Sequence, residues 1–168
     1  MEWKGRSVVK KIFYFEHMED PSAVFDSRKM DNGETRMRLK FPNGGGYIRT
    51  EAAEGGWQNA HHHKGLRETF IVEHGWLALA ENYHNGVRHV TVYRSGEIFT
   101  CGPGVDHNVF LPEGGVIHTI QYGKPIGNPD KKGNDWYAAS PDFDIWSKAL
   151  TIKGIADHAG VTPESLTE

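Results

Sequence analysis

Polar and apolar positions alternate with a period of two through much of the chain, in runs too short for long helices. Arg36-Met37-Arg38-Leu39-Lys40-Phe41 alternates strictly, the pattern of a strand buried on one face. Strands are predicted over residues 8–16, 35–41, 46–51, 61–63, 68–73, 76–83, 87–94, 105–111 and 116–122. Pro42-Asn43-Gly44-Gly45-Gly46 and His84-Asn85-Gly86 separate some of them, and Gly102-Pro103-Gly104 and Glu113-Gly114-Gly115 separate others. Glycine and asparagine supply the positive φ angles that close hairpins. Short strands at this spacing predict an all-β fold, an antiparallel sandwich or barrel.

The last third reads differently. Residues 124–135 are rich in Pro, Gly, Asn and Lys and predict a surface loop. Ser140-Pro141-Asp142 predicts the start of a short helix, with serine as N-cap and proline in its first position. A second short helix is predicted from Thr162-Pro163-Glu164. The aromatic residues Trp136, Tyr137, Phe143 and Trp146 are expected to pack on the barrel, with a lid over one mouth or a dimer contact as the alternative.

Length and charge narrow the picture. At 168 residues the chain suits one domain, with a core barrel over about 35–122 and a C-terminal loop and helices over 123–168. A net charge of −3 offers no basic field, which argues against nucleic acid as a partner. No apolar run is long enough to predict a membrane span. Met1-Glu2-Trp3-Lys4-Gly5-Arg6 does not open onto the apolar core of a signal peptide, and Cys101 has no cysteine to pair with. A cytoplasmic protein with Cys101 as a packed thiol is the expectation.

The chemistry concentrates in the middle third. In an extended strand His61 and His63 project to one side and His62 to the other. Lys64-Gly65-Leu66-Arg67 can turn the chain, so that Glu68 opens the next strand facing the same interior, and His107 follows downstream. Three imidazoles and one carboxylate on a concave wall suit a divalent transition metal: Fe, Mn, Ni or Zn. If Glu68 points inward, so do Phe70 and Val72, while His107 brings Val109 and Leu111. Of the other histidines, His62 is expected to be structural or exposed, and His74 and His84 lie at turns. His89 and His118 sit in strands; His118 is the better candidate for a catalytic general acid–base. Arg36, Arg38, Arg49 and Glu51 are expected on a solvated outer face, with a charged substrate at the barrel mouth as the alternative.

These residues carry a resemblance. Gly55-x5-His61-x-His63-x4-Glu68-x6-Gly75 resembles the first motif of the cupin superfamily, and Gly96, Gly104 and His107 match the second. In the second motif Gly102 stands where a proline is usual, Pro103 follows it, and Leu111 replaces an asparagine. The resemblance spans about residues 46–122. It implies a small antiparallel β-barrel of the jelly-roll type, a metal near its axis and commonly a homodimer.

The resemblance does not imply one reaction. Three readings follow: a metal-dependent isomerase or epimerase of a sugar or related small polar molecule, an Fe(II)-dependent dioxygenase, or a non-catalytic small-molecule sensor. The first would use His118 or a bound water to move a proton, and the second would suit the apolar inner wall.

Overall fold

The computed structural model describes residues 23–42, 44–127 and 134–167. The strand expected over 8–16 lies outside the described residues. Twelve strands follow in order: β1 (Val24–Lys29), β2 (Glu34–Lys40), β3 (Gly46–Ala52), β4 (Gly56–Trp57), β5 (His61–His62) and β6 (Leu66–His74), then β7 (Trp76–Asn82), β8 (Arg88–Arg94), β9 (Ile98–Cys101), β10 (Asp106–Leu111), β11 (Val116–Gly123) and β12 (Tyr137–Ala138). Helices α1 (Pro141–Ala149) and α2 (Ile152–Ala159) and a 3-10 turn at Glu164–Leu166 close the chain. None of the described helices is long and apolar enough to cross a membrane.

The strands form two sheets, β1-β2-β3-β11-β6-β9 and β12-β5-β10-β7-β8, with β4 added on β10. Every recorded pairing is antiparallel. Strand period two then sorts each sheet into an inner and an outer face. Between the sheets lies one core, where Phe70 and Val72 of β6 meet Leu77 and Leu79 of β7, Val109 and Leu111 of β10 and Ile117 of β11. Leu111, at the asparagine position of the cupin pattern, is fully buried there and contributes packing. Burial also pushes the Cys101 thiol well up, consistent with a packed, inert side chain.

A second core lies behind the second sheet. Trp76, Ala78, Ala80 and Val90 turn outward from β7 and β8 and meet Phe143, Ile155 and Ala156 of the helices. Small alanines on the sheet let the helices approach closely. Helix α1 starts after Ser140 with Pro141 in its first turn, as expected, although the Ser140 side chain makes no capping hydrogen bond. Helix α2 is a finding: Thr151 caps it through Gly154 N, and Gly160 ends it at φ 68°. The helix expected from Thr162 is only the 3-10 turn.

The two sheets are therefore unequal. The second is covered by helices, while the outer face of the first exposes Ile98, Ile120 and Tyr122. His118 also lies on that outer face, because its strand neighbours Ile117 and Thr119 are the buried, inward ones.

Candidate metal centre

Four side chains converge inside the barrel: His61 from β5, His63 just after it, Glu68 from β6 and His107 from β10. One ligand atom from each lies within 4.8 Å of the others. The ladder explains the convergence, since His107 pairs directly with His61 across β10 and β5. Glu68 Oε2 is the centre of the group, 3.0 Å from His107 Nε2, 3.3 Å from His63 Nε2 and 3.7 Å from His61 Nε2. His63, Glu68 and His107 are buried at 4%, 4% and 1% exposure, so water does little to solvate the carboxylate.

The backbone fixes the orientation of every ring. His61 Nδ1 donates to the Asn59 carbonyl and His107 Nδ1 to the Val105 carbonyl, each at 3.0 Å. His63 Nδ1 donates to the Asp135 carbonyl. A carbonyl can only accept, so each Nδ1 holds the proton and each Nε2 presents a lone pair to the centre when the ring is neutral. His63 Nε2 is buried without a hydrogen-bond partner. An orphaned lone pair beside two further Nε2 atoms and a carboxylate oxygen fits a cation. The cluster therefore fits a divalent metal ion.

Electrostatics agree with that fit. Burial, aided by His107, pushes the His61 imidazole down to about 4, so it stays neutral at ordinary pH. Burial alone would raise Glu68, but its close contacts with the His107, His61 and His63 rings hold its carboxyl well below the usual range. Burial likewise opposes charging of His63, and its contact with Glu68 nevertheless pulls its imidazole upward. The other Glu68 oxygen, Oε1, accepts from Gln121 Nε2 at 2.8 Å.

Asp135 is the residue the sequence did not reveal. Expected in a surface loop, it is 4% exposed. Its carboxylate accepts from Lys64 N, Gly65 N and Leu66 N at 2.8, 2.8 and 2.9 Å, gripping the turn that joins His63 to Glu68. Burial would raise its pKa, but these amides hold it low. Gly104 N adds a 2.7 Å bond to the His63 carbonyl. At Gly65 the chain runs so close to the Lys124 carbonyl that a Cβ has no room.

A cavity of about 880 Å³ opens on the cluster, with His61, His63 and Glu68 in its wall. Leu66, Phe70, Ile48, Trp57 and Trp136 make much of that wall apolar. Trp136 stacks on His61 at 5.4 Å between ring centres, whereas Tyr137 stacks on His62, which faces away and bonds Asp106. Phe143 and Trp146 pack on the helices' side of the second sheet. Of the four tail aromatics, Trp136 thus borders the site, Tyr137 packs on His62 outside it, and Phe143 and Trp146 belong to the second core.

The charged residues also divide. Arg36 and Arg38 line the cavity, contrary to the expected solvated face, because β2 is paired with β3 and shares its inner side. Arg49 and Glu51 pair with each other on the outer face, as expected. His118 is not brought to the cluster. It lies between Tyr47 Oη and Glu73 Oε2, 2.7 Å from each, on the far side of β11. His89 is exposed against Tyr83.

No family model and no curated protein matches the chain by sequence. Solved structures match it by fold. An oxalate decarboxylase from Bacillus subtilis, described with Mn(II) centres, superposes with a TM-score of 0.55 at 16% identity, over 86% of this chain and 37% of that one. The oxalate decarboxylase of Lactobacillus farciminis, described in a formate complex, gives 0.54 at 13% identity, over 86% and 41%. The chain thus spans well under half the length of the structures it matches. It has the cupin fold, with a His–His–Glu–His cluster that fits a cupin metal site.

Proposed function

We propose that the protein is a metal-dependent enzyme acting on a small organic molecule, with His61, His63, Glu68 and His107 as the ligands of Fe(II) or Mn(II). Within that class the proposed reaction is an Fe(II)-dependent dioxygenation. One observation carries the preference over an isomerase: among the described residues the cavity holds no imidazole besides those of the cluster, and His118, the expected acid–base, is not in its wall. Among the described residues its only imidazoles are His61 and His63, both turned toward Glu68. The Asp135 carboxylate is occupied by three amides, and His118 faces away.

A bound ion would supply Lewis acidity and, as Fe(II), the capacity to activate dioxygen. The chain's own residues set the conditions. Gln121 fixes the rotation of the Glu68 carboxylate, and backbone carbonyls fix the three imidazoles. Leu66, Phe70 and Trp136 give the approach an apolar wall. The test is metal analysis of the purified protein, followed by oxygen uptake across a panel of small organic molecules. Fe(II)-dependent oxygen uptake supports the reading. Turnover that persists without oxygen and with Mn, Ni or Zn overturns it in favour of the isomerase.

A homodimer belongs to the same proposal. The exposed outer face of the first sheet, with Ile98 62% and Ile120 41% exposed, is the surface that would seat it. Light scattering of the protein and of an I98E/I120K double variant tests this. Two copies falling to one is the expected result, and one copy in both overturns it.

A further inference from the structure

The inner face of β2 carries three cations in a row, Arg36, Arg38 and Lys40, and all three line the cavity. They are not equally satisfied. Arg36 is neutralised by Glu34, whose Oε2 accepts from its Nε at 2.8 Å and its Nη2 at 2.5 Å. Glu34 is 1% exposed, and Gln58 occupies its other oxygen at 2.9 Å. That pair is complete.

Arg38 is different. Its side chain is only 14% exposed, and among the described residues it has a loose ion pair with Asp26 at 3.8 Å and one hydrogen bond, to the Met30 sulfur at 3.6 Å. A guanidinium has five N–H donors in a planar fork, and a thioether is a weak acceptor. Burial and the neighbouring Arg36 both disfavour its charge, as its lowered pKa shows. Lys40, one strand period further on, makes no ion pair among the described residues. Asp31 also lines the cavity and pairs with neither cation. A half-buried guanidinium with only a loose counter-charge and most of its donors unfilled, beside an exposed lysine with no ion pair among the described residues, marks a place where an anion is expected.

We propose that Arg38 and Lys40 form a carboxylate subsite at the end of the cavity opposite the metal cluster, so that the substrate is an organic acid. This rests on the metal reading above and extends it to the class of substrate. The sheet register sets the spacing. Lys40, Gly46, Gln121 and Glu68 lie side by side across β2, β3, β11 and β6, and Arg38, Ile48, Thr119 and Phe70 form the next row. Three strand spacings separate the cations' strand from that of Glu68, about 14 Å between backbones. Gly46 leaves the floor between Lys40 and Gln121 without a side chain. A Cβ there would come within 3.5 Å of the Gln121 amide oxygen. With Arg38 and Glu68 both reaching inward, the remaining gap suits an aryl group or a short carbon chain. One end carries the carboxylate and the other meets the metal. The apolar surfaces of Ile48 and Phe70 face that middle stretch.

The test is calorimetric titration of the metal-loaded full chain with benzoate, phenylacetate and 4-phenylbutyrate, with the matching alcohols and with inorganic phosphate. At least one acid should bind about tenfold or more tightly than its alcohol. Arg38→Met should remove that advantage without changing metal content or alcohol binding, and Arg38→Lys should restore part of it. Lys40→Met, at an exposed position, gives the same readout if Arg38→Met fails to fold, with a smaller loss. Acids that bind no better than alcohols, or an acid preference unchanged in both variants, overturn the subsite. Phosphate binding in preference to every acid also overturns the carboxylate assignment. Metal content, measured separately, keeps the two ideas apart. Arg38-dependent acid binding by a protein that takes up no metal leaves the subsite standing and ends the metal reading.

Discussion

At the scale of single residues, the centre depends on side chains that never touch an ion. Asp135 holds three consecutive amides of the ligand turn with its carboxylate and His63 with its carbonyl. Asp135→Ala should leave the barrel folded and weaken metal affinity about 10- to 100-fold, as loss of such supporting contacts typically does. Metal titration followed by equilibrium dialysis checks this; unchanged affinity would show that the turn holds itself. Titration behaviour gives a second prediction for the metal-free protein. His61 is depressed from 6.5 to about 4, so between those values the unfolded chain binds more protons than the folded one. The stability His61 confers is complete above about 6.5 and is lost as pH falls toward 4. Glu68, held low, loses its contribution in the same direction below 4.5. His63 is raised, so its contribution is lost only as pH rises. The His61 shift is the large one and outweighs the opposing His63 contribution, so a denaturation midpoint in chelator should be lower at pH 4.5 than at pH 7, and equal midpoints contradict the linkage. The convergence of His61, His63 and Glu68 was legible from spacing because period two and one turn suffice to align them. His107 came instead from the resemblance to the second motif, its place beside His61 depending on the β5–β10 ladder. Asp135 was not legible, since its role depends on a contact more than 60 residues away in the chain, between Asp135 and residues 63–66.

At the scale of elements, the alternation of β2, β3, β6, β7, β8, β10 and β11 could be read to within a few residues. Strands β4 and β12 are two residues long and exist only through pairing with β10 and β5, so no local pattern announces them. Strand β9 has four residues, too few to establish a period. No local pattern announces helix α2, because Gly154 interrupts it and its stability comes from packing Ile155 and Ala156 on the sheet. His118 shows the limit of the alternation itself. The pattern locates the strand, but its face is set by the register with β3 and β6, which turns Ile117 and Thr119 inward. The turn between β5 and β6 gives the prediction at this scale. Gly65→Ala places a methyl group against the Lys124 carbonyl, where backbone must move. It should cost about 2 kcal/mol or more and weaken metal binding together with stability. Chemical denaturation with parallel metal analysis checks the coupling; a stable variant with weak binding would separate the two.

At the scale of the whole molecule, the two cores make the fold independent of the ion. Neither the sheet-to-sheet core nor the helix-to-sheet core contains a ligand side chain. Chelation should leave a folded, cooperatively melting protein. At an ion concentration about a hundredfold above the dissociation constant, the loss is only about 3 kcal/mol. Circular dichroism with and without chelator tests this, and collapse of the spectrum would make the ion structural. The asymmetry of the two sheets was not legible beforehand, because it depends on where the helices settle and not on any strand's pattern. Finally, Trp136 lies flat against His61 at an interplanar angle of 20°. An open-shell ion held by that imidazole would sit close enough to drain the indole's excited state. The molecule thus contains its own optical gauge of occupancy. Its emission should dim stepwise as Fe(II) or Mn(II) is added, stay bright with closed-shell Zn(II), and lose most of this response in Trp136→Phe.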